Sequence, residues 1–258
     1  MNLKERHDRI LARLRANETV EIGELSKVLE VSRETVRKDL YELERDGLLT
    51  KVRGGAILTS GDVETAYDLR KAKDAEAKKA IARLAAGLIQ PGDTVFLDYG
   101  TTSFMVAEEL LLFEGITVVT NTLPIVNLLI PNTSISIMIP GGIVRTNENS
   151  LYGPFGARNM DHLFMNIGFF GCAGIDTRAG ITNHNMFETS FSTLAMEHCQ
   201  KVVLLADHTK FDVVAAHKTA IPEDVDLIIT DEAVPSATVL ALQKAGADIQ
   251  IAHEIGNA

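Results

Sequence analysis

The chain has 258 residues, of which 46% are hydrophobic and 23% charged, as in ordinary globular proteins. Its net charge of −10 would argue against a nucleic-acid partner if the charge were spread evenly. The first 60 residues carry 12 Lys and Arg against 11 Asp and Glu, a net charge of +1, so the remainder carries −11. Only the N-terminal segment therefore suits a polyanionic partner.

Other classes of protein are disfavoured by what the sequence lacks. Cys172 and Cys199 make neither a disulfide framework nor a CxxC metal motif. The N-terminus is charged and has no apolar run of the kind that a signal peptide needs. No stretch approaches 18 uninterrupted apolar residues, so we expect no membrane span and a cytoplasmic, soluble protein.

The first 45 residues read as three helices. Residues 3–16 form the first, with a buried stripe that includes Ile10 and Leu14. Residues 20–40 then read as two short helices joined by a tight turn. The apolar positions of these two helices recur at helical spacing: Leu25, Val28 and Leu29 in the first, and Val36, Leu40 and Leu43 in the second.

The third helix carries a polar face that suits DNA. Ser32 is placed as its N-cap, because the serine hydroxyl can accept a free backbone N–H of the first turn. Arg33, Thr35, Arg37 and Lys38 lie on the outward face, where they could meet phosphates and base edges in a major groove. Taken alone, the same residues could be only a helical hairpin with a solvated charged face.

A β-hairpin follows the helices. Gly47 fits the end of the third helix, and two short apolar strands flank Gly54-Gly55. Three helices and a hairpin are the layout of a winged helix-turn-helix, in which Lys51 and Arg53 would lie along the DNA backbone or in the minor groove. An ordinary hairpin with surface cations is the alternative, and the order and spacing of the elements favour DNA binding.

This stretch resembles the N-terminal signature of the DeoR-type bacterial transcriptional regulators. That signature reads V-S-x-x-T-[IV]-R-[RK]-D-L, then L-E-x-x-G-x-L and a G-G-A wing. Residues 32–40, 43–49 and 53–56 carry the match. The resemblance implies a winged helix-turn-helix that binds double-stranded operator DNA.

The rest of the chain reads as an α/β domain. Residues 59–62 are a polar break, and we expect a DNA-binding domain over residues 1–60, a linker over 61–75 and an α/β domain over 76–258. A strong helix at 74–89 precedes strands and helices that alternate, a pattern typical of a mostly parallel sheet with helices on its faces. Strands are predicted at 94–97, 116–120, 134–139, 165–172, 201–206, 227–230 and 248–253.

Polar residues follow several of the predicted strands. In open α/β sheets ligands bind at the carboxyl ends of the strands. These ends carry Asp98 with Gly100, Thr101 and Thr102, then Thr120-Asn121, Gly141-Gly142 with Arg145, residues 171–176, and Asp207 with Lys210. Each alone is more often turn or capping chemistry, but together they suit a phosphate and the hydroxyls of a sugar. No Walker motif and no G-x-G-x-x-G follow the first strand, so we expect no nucleotide cofactor, and no cofactor is predicted.

The same residues extend the resemblance to the sensor domain of that family, which is similar in fold to ribose-5-phosphate isomerase. The resemblance implies a site for a phosphorylated sugar around Asp98, Gly100, Thr101, Thr102, Gly141, Gly142, Arg145, Glu188, Asp207 and Lys210. Two positions depart from the family pattern. Cys172-Ala173 replaces an Ala-Asp pair, and residues 189–193 lack the basic residue that normally follows Glu188 by a turn. The missing basic residue suggests an altered effector.

Two functions of different classes fit these observations. The first is a repressor of a carbohydrate-metabolism operon, released from DNA by a phosphorylated sugar and acting as a homodimer or homotetramer. The second is a sugar-phosphate isomerase with an accessory DNA-binding arm, in which Asp98, Asp207 or Glu188 would be the general base. The intact helix-turn-helix favours the first. The histidines have no metal-site spacing, although His208 could line the pocket.

Overall fold

The computed structural model describes residues 2–17, 19–45, 48–52, 54–58, 67–146 and 148–254. The chain divides into two compact units, Met1–Leu69 and Arg70–Ala258. The predicted Gly47 helix stop and the polar break at 59–62 lie outside the described residues, as does Arg53.

The first unit contains the three predicted helices and the predicted hairpin. Its elements are α1 (Leu3–Asn17), β1 (Thr19–Glu21), α2 (Ile22–Val28), α3 (Arg33–Arg45), β2 (Leu49–Val52) and β3 (Gly55–Leu58). Its core packs buried residues of all three helices against the sheet, among them Ile10, Leu25, Leu40 and Leu49. One sequence expectation is wrong: Val28 is exposed, because the core-facing side of α2 carries Ile22 and Leu25, with Leu29 after them, and not Val28.

The glycine pair of the hairpin has two separate tasks. Gly54 has φ +91°, a conformation that L side chains rarely adopt, and it makes the turn between β2 and β3. A Cβ on Gly55 would lie 2.0 Å from the carbonyl oxygen of Val20. Gly55 therefore lets β3 pair with β1, a strand that the sequence reading missed, and the three strands form an antiparallel sheet in the order β1-β3-β2.

The second unit is built on a seven-stranded parallel sheet, as predicted. Its helices are α4 (Tyr67–Ala72, which begins in the first unit), α5 (Ala75–Ala86), α6 (Thr101–Glu109), α7 (Leu123–Leu129), α8 (Pro154–Met160), α9 (Met186–Glu197) and α10 (Ser236–Lys244). The strands of the sheet are β4 (Thr94–Leu97), β5 (Thr117–Thr120), β6 (Ser136–Met138), β9 (Ile167–Gly171), β12 (Val202–Leu205), β14 (Leu227–Asp231) and β15 (Ile249–Ala252).

Alternation along the strands divides the core into two layers. Val95 and Leu97 face a cluster that includes residues of α5, α6 and α7, whereas Phe96 faces a second cluster with residues of α8, α9 and α10. Side chains of a strand point alternately to the two faces of its sheet, so a strand covered on both faces is apolar at every position. This explains why the predicted strands read as continuous apolar runs.

Two smaller sheets were not predicted. One is an antiparallel hairpin of β7 (Ile143–Arg145) and β8 (Ser150–Tyr152). The other is antiparallel and joins β10 (Gly174–Asp176), β11 (Gly180–Asn183) and β13 (His217–Ala220). These strands are only three or four residues long, too short for a clear period-2 pattern.

The strand order of the large sheet is β15-β14-β12-β9-β4-β5-β6. The chain runs outward from β4 to β6 on one side and then returns to continue from β9 on the other. The order therefore reverses between β4 and β9, which are neighbours. In parallel sheets of this kind, ligands bind in the crevice outside the carboxyl ends of the strands at such a switch point.

Two further properties concern the described residues only. None of their helices has both the length and the apolar character that crossing a membrane requires. The same part of the chain holds no group of three or more His, Cys, Asp or Glu side chains placed to bind a metal ion.

Candidate functional sites

The start of α3 is fixed by a serine cap. The backbone N–H of Thr35 donates to Ser32 Oγ at 3.0 Å, and the two hydroxyls lie 2.9 Å apart. The N–H of Val36 donates to the carbonyl of Ser32 at 3.1 Å. Ser32 is thus the N-cap that the sequence predicts, and its hydroxyl is used in the helix.

The outward face of α3 presents cations to solvent. Arg33, Arg37 and Lys38 are exposed, while Thr35 is half-buried beside Ser32. Arg37 Nη1 lies 3.2 Å from Glu34 Oε2, and their side chains are 60% and 82% exposed. An exposed pair of this kind contributes only about 0–1 kcal/mol, so Arg37 can exchange its partner for a DNA phosphate at little cost.

The hairpin is tied to α3 by Lys51. Its backbone N–H donates to Glu44 Oε1 at 2.8 Å, and its ammonium lies 3.1 Å from Glu44 Oε2 and 4.7 Å from the centre of the Tyr41 ring. The hydrogen bond from the backbone of Lys51 is the main reason why the pKa of Glu44 lies below its usual value. Sequence reasoning missed Tyr41, whose exposed ring extends the polar face of α3 toward the hairpin.

Behind that face, α3 is held against α1. Arg6 Nε and Nη2 donate to the two carboxylate oxygens of Asp39 at 2.5 and 2.7 Å, and Asp39 is buried. These hydrogen bonds raise the pKa of Arg6 above its usual value. A bidentate pair fixes orientation as well as distance. The sequence could have indicated that Asp39 is buried and needs a partner, because it lies on the apolar face of α3 between Val36 and Leu40.

In the second unit, the first helix after β4 begins at the switch point. Gly100 has φ +119° and directs the chain into α6. Thr101 and Thr102 follow it, both buried, and the Oγ of Ser103 is buried with no hydrogen-bond partner among the described residues. Free backbone N–H groups and hydroxyls at a helix start are suited to an anion. A phosphate group at this position stays a prediction.

Asp98 is fully buried at the end of β4. Ser192 Oγ donates to its Oδ2 at 2.6 Å, and Asn121 Nδ2, at the end of β5, donates to its Oδ1 at 3.2 Å. The pKa of Asp98 is raised to about 7, mainly by burial and also by the nearby charge of Glu188, while the hydrogen bonds from Ser192, the Tyr99 backbone and Asn121 act in the opposite direction. Asp98 therefore lies in a polar cluster whose neighbours are neutral donors and a second carboxylate.

Glu188 is buried on α9 and is neutralised by Arg145 of β7. Arg145 Nη1 and Ser150 Oγ each donate a short hydrogen bond to its carboxylate. Asn185 caps α9 and accepts from the N–H groups of Phe187 and Glu188 at 3.0 and 3.2 Å. The β7–β8 hairpin and the start of α9 thus meet at one buried ion pair. This pair joins two residues that the sequence analysis proposed for the same site.

Asp207, after β12, lies among cations. Burial raises its pKa, but Lys210, the hydroxyl and backbone of Thr209, and Lys78 outweigh burial, so the pKa of Asp207 lies below its usual value. Lys78 of α5 is buried, with its Nζ 3.5 Å from Asp207 Oδ2. Burial lowers the pKa of Lys78, and Asp207 partly offsets that effect. His208, which sequence reasoning considered for the pocket, has its Nδ1 2.8 Å from Asp231 Oδ2.

The predicted site residues Gly141 and Gly142 also shape the chain, and Cys172 lies near Asp207. Gly141 and Gly142 have φ +91° and +135°, and a Cβ on Gly142 would lie 2.4 Å from the carbonyl oxygen of Tyr152. This glycine pair therefore makes the turn from β6 into the β7–β8 hairpin. Cys172, at the end of β9, has its pKa raised to about 12 by burial, with Lys210 and Asp207 as its charged neighbours. It is placed as a neutral thiol beside Asp207.

Sequence reasoning missed three side chains that complete the clusters of this sheet edge. Ser192 binds Asp98, Ser150 binds Glu188, and Lys78 binds Asp207. Ser192 could have been predicted from the sequence, since it lies four residues after Glu188 and therefore on the same face of α9. Ser150 and Lys78 come from β8 and α5, and no local pattern marks them.

Comparison with known proteins gives matches to two family models, one for each part of the chain. The family model described as a DeoR-like helix-turn-helix domain matches residues 6–61, and the one described as the DeoR C terminal sensor domain matches residues 73–232.

Curated relatives cover nearly the whole chain. The HTH-type transcriptional regulator GolR of Listeria innocua is 35% identical over 250 residues, which are 96% of this chain and 98% of that protein. The HTH-type transcriptional repressor CsqR of Escherichia coli is 32% identical, with 96% and 95% covered. The glycerol-3-phosphate regulon repressor of Escherichia coli is 31% identical, with 94% and 96% covered.

Similarity to solved structures is partial. A ribose 5-phosphate isomerase from Plasmodium falciparum covers 52% of each chain at 17% identity, with a TM-score of 0.37. A likeness of that extent carries no inference about what this chain does.

Proposed function

The chain belongs to the DeoR family of transcriptional regulators, and from that membership and the two sites above we propose that it represses a carbohydrate-metabolism operon until a phosphorylated metabolite binds the second unit. The predicted class, a DNA-binding transcriptional regulator rather than an enzyme, is confirmed by its relatives, which are regulators. The isomerase alternative has no support among them.

The first unit supports the DNA-binding half of this proposal. Ser32, Arg33, Thr35, Arg37 and Lys38 lie on or beside the start of α3, and Lys51 lies on the hairpin next to that helix. We propose these residues together with Arg53 as the operator contacts, with α3 in the major groove. The cap at Ser32 and the Arg6–Asp39 pair hold α3 in place, so that its exposed cations can bind phosphates without a change in the fold.

One observation carries the ligand half. At the switch point, the start of α6 offers backbone N–H groups and the hydroxyl of Ser103, which has no hydrogen-bond partner in the part of the chain that the structure describes, within a region of buried carboxylates and cations. A phosphate at the start of α6 would accept hydrogen bonds from these N–H groups and from the hydroxyl, and sugar hydroxyls would donate to the carboxylates. The residues proposed for this site are Asp98, Gly100, Thr101, Thr102, Gly141, Gly142, Arg145, Glu188, Asp207 and Lys210.

The names of three relatives support the class of metabolite that we propose. One is named as the repressor of a glycerol-3-phosphate regulon, another as a putative repressor of the aga operon and another as the repressor of a lactose phosphotransferase system. We infer a small phosphorylated metabolite for this chain as well, acting in the cytoplasm where the operator is.

The proposal also covers the division of the chain and its assembly. We propose that residues 1–60 bind DNA, that residues 61–75 link the two domains, and that residues 76–258 bind the ligand and form a homodimer or homotetramer. A single recognition helix reads few base pairs, so paired half-sites need paired copies. Analytical ultracentrifugation of the full chain would contradict this if it gave a monomer both free and on DNA.

The test of the ligand site is a thermal-stability screen with glycerol 3-phosphate, ribose 5-phosphate, glucose 6-phosphate and inorganic phosphate. A compound at 100 times its dissociation constant adds about 2.7 kcal/mol to the free energy of unfolding. We expect at least one phosphorylated compound to stabilise the wild-type protein and to release DNA.

The matched variants are Thr101→Val, at the start of α6, and Thr117→Val, at the opposite end of the sheet. We expect both to bind DNA normally, and only Thr101→Val to lose stabilisation and release. A normal response from Thr101→Val would place the pocket elsewhere.

A further inference from the structure

Lys78 joins the candidate ligand site to the segment that leads from the first unit. It lies on α5 and is only 4% exposed. Its ammonium is 3.5 Å from Asp207 Oδ2, donates to the carbonyl of Arg70 at 3.2 Å, and donates a short hydrogen bond to the carbonyl of Lys73. One buried cation thus holds the end of α4 and a carboxylate of the sheet edge together.

The same segment has a second attachment. Arg70 Nη2 donates a short hydrogen bond to Glu148, which is fully buried in the loop between β7 and β8. The two strands beside that loop carry Arg145 and Ser150, the partners of Glu188. Residues 70–73 are therefore attached to Asp207 through Lys78, and through Glu148 to the loop of the hairpin that carries Arg145 and Ser150.

Burial makes these attachments responsive to charge. An ammonium out of water is stable only when acceptors surround it, and removing one acceptor from a buried charge is costly. A ligand that draws Asp207 away from Lys78, or that competes with Glu188 for Arg145, changes the balance of charges around both. The position of Lys78, and with it that of the carbonyls of Arg70 and Lys73, must then adjust.

We propose that Lys78 and the Arg70–Glu148 pair are the coupling residues of this regulator, holding residues 70–73 in the arrangement that binds DNA and releasing them when the ligand occupies the sheet edge. This inference rests on the proposed ligand site. These residues are connected in sequence to the DNA-binding unit through α4, so a change in their position reaches that unit through the chain itself. They are positioning residues, because none of them needs to touch DNA.

Coupling of this kind has a signature that a merely structural role lacks. A change that favours the ligand-bound arrangement weakens DNA binding and, by linkage, strengthens ligand binding. A change that only damages the fold weakens both. The two affinities must therefore move in opposite directions.

The experiment compares Lys78→Met with Lys79→Met in the full chain. Lys79 is the next residue of the same helix and is half-buried, and its Nζ lies 2.8 Å from Glu76 Oε1. Binding is measured with a duplex that the wild-type protein selects from a random library. Without any ligand, we expect Lys78→Met to bind this DNA at least about tenfold more weakly, and Lys79→Met to bind it as the wild type does. Equal affinities for the two variants would overturn the proposal.

Glu148→Gln is the milder second variant, since it keeps the shape and an acceptor for Arg70 but removes the charge. We expect it to shift in the same direction by a smaller factor, with amide exchange in β4, β9 and β12 unchanged. If Lys78→Met does not fold, Glu148→Gln decides: DNA affinity equal to that of the wild type would overturn the proposal.

The ligand arm uses whichever of glycerol 3-phosphate, ribose 5-phosphate or glucose 6-phosphate stabilises the wild type. We expect Lys78→Met to bind that compound more tightly than the wild type does, and weaker binding would overturn the coupling role. If none of the three stabilises the wild type, the proposed ligand class fails, and the DNA affinities measured without ligand still decide whether Lys78 holds the DNA-binding arrangement.

Discussion

The two candidate sites hold their charges in opposite ways. On α3, the Arg37–Glu34 pair is mostly exposed, and both partners come from one turn of one helix. At the sheet edge, Glu188 is fully buried, and its partners Arg145 and Ser150 come from a hairpin some forty residues away in sequence.

This difference matches two different tasks. Exposed cations in high dielectric lose little when they change partners, so the α3 face can bind a phosphate backbone without rearrangement. Buried pairs are costly to break, so the sheet edge changes only when a ligand replaces what it removes. The α3 face is therefore suited to binding DNA without a change in structure, and the sheet edge is suited to changing its structure when a ligand binds.

The largest expected effect on stability comes from breaking the buried ion pair of the second unit, and the exposed ion pair of α3 provides the comparison. Arg145→Met leaves the carboxylate of Glu188 buried without its cation, and we expect it to lower the free energy of unfolding of the second unit by about 3–5 kcal/mol. Arg37→Met, in the exposed pair, should change the stability of the first unit by less than about 1 kcal/mol. Amide exchange of β9 and of α3 reports the two units separately. Comparable losses of stability in both variants would contradict the difference between the buried and the exposed ion pair.

A second effect concerns pH and is confined to the buried region. The pKa of Asp98 is raised to about 7 by burial. The folded state therefore binds a proton that the unfolded state has already released, and stability falls as pH rises from about 4 to 7. Relative to Asp98→Asn, which cannot titrate, the wild type should lose on the order of 3 kcal/mol over that range. Urea unfolding of both proteins at pH 4.5, 6 and 8 measures it, and parallel pH profiles would contradict the buried placement of Asp98.

The smallest effect on stability, but a clear one on binding, is expected at the exposed surface. Replacing Arg37 and Lys38 by Ala should leave the fold unchanged and weaken DNA binding. The log–log salt dependence should flatten by about 0.9 for each DNA phosphate that the variant no longer neutralises. Arg178→Ala, in an exposed turn of the second unit, is the control for the loss of a surface cation. An unchanged salt slope would show that α3 does not bind phosphates through these residues.

The sequence predicted the first unit well because its signals are local. The cap at Ser32, the apolar positions of α3 and the glycine turn at Gly54 each depend on residues within one helix or hairpin. The large parallel sheet was equally readable, since strands covered on both faces form continuous apolar runs. Strand β1 and the hairpin β7–β8 were missed, because three residues give no measurable periodicity.

The sheet edge was predicted only in part, for a physical reason. The carboxyl ends of the strands are brought together by the fold, so Asp98, Arg145 and Asp207 could be proposed from their places after strands. Three side chains that bind the carboxylates of this edge come from other elements and are brought there by tertiary packing: Ser192 binds Asp98, Ser150 binds Glu188 and Lys78 binds Asp207. Burial of charge is likewise decided by packing, and a single sequence does not record it.

The central claim is that the DNA surface and the sheet edge are two sites of one switch, and reciprocal titration tests it most directly. The affinity for operator DNA is measured with and without a stabilising compound from the phosphorylated panel, and the affinity for that compound with and without DNA. The account predicts that each partner weakens the binding of the other by the same factor. A compound that binds free and DNA-bound protein equally well would contradict it.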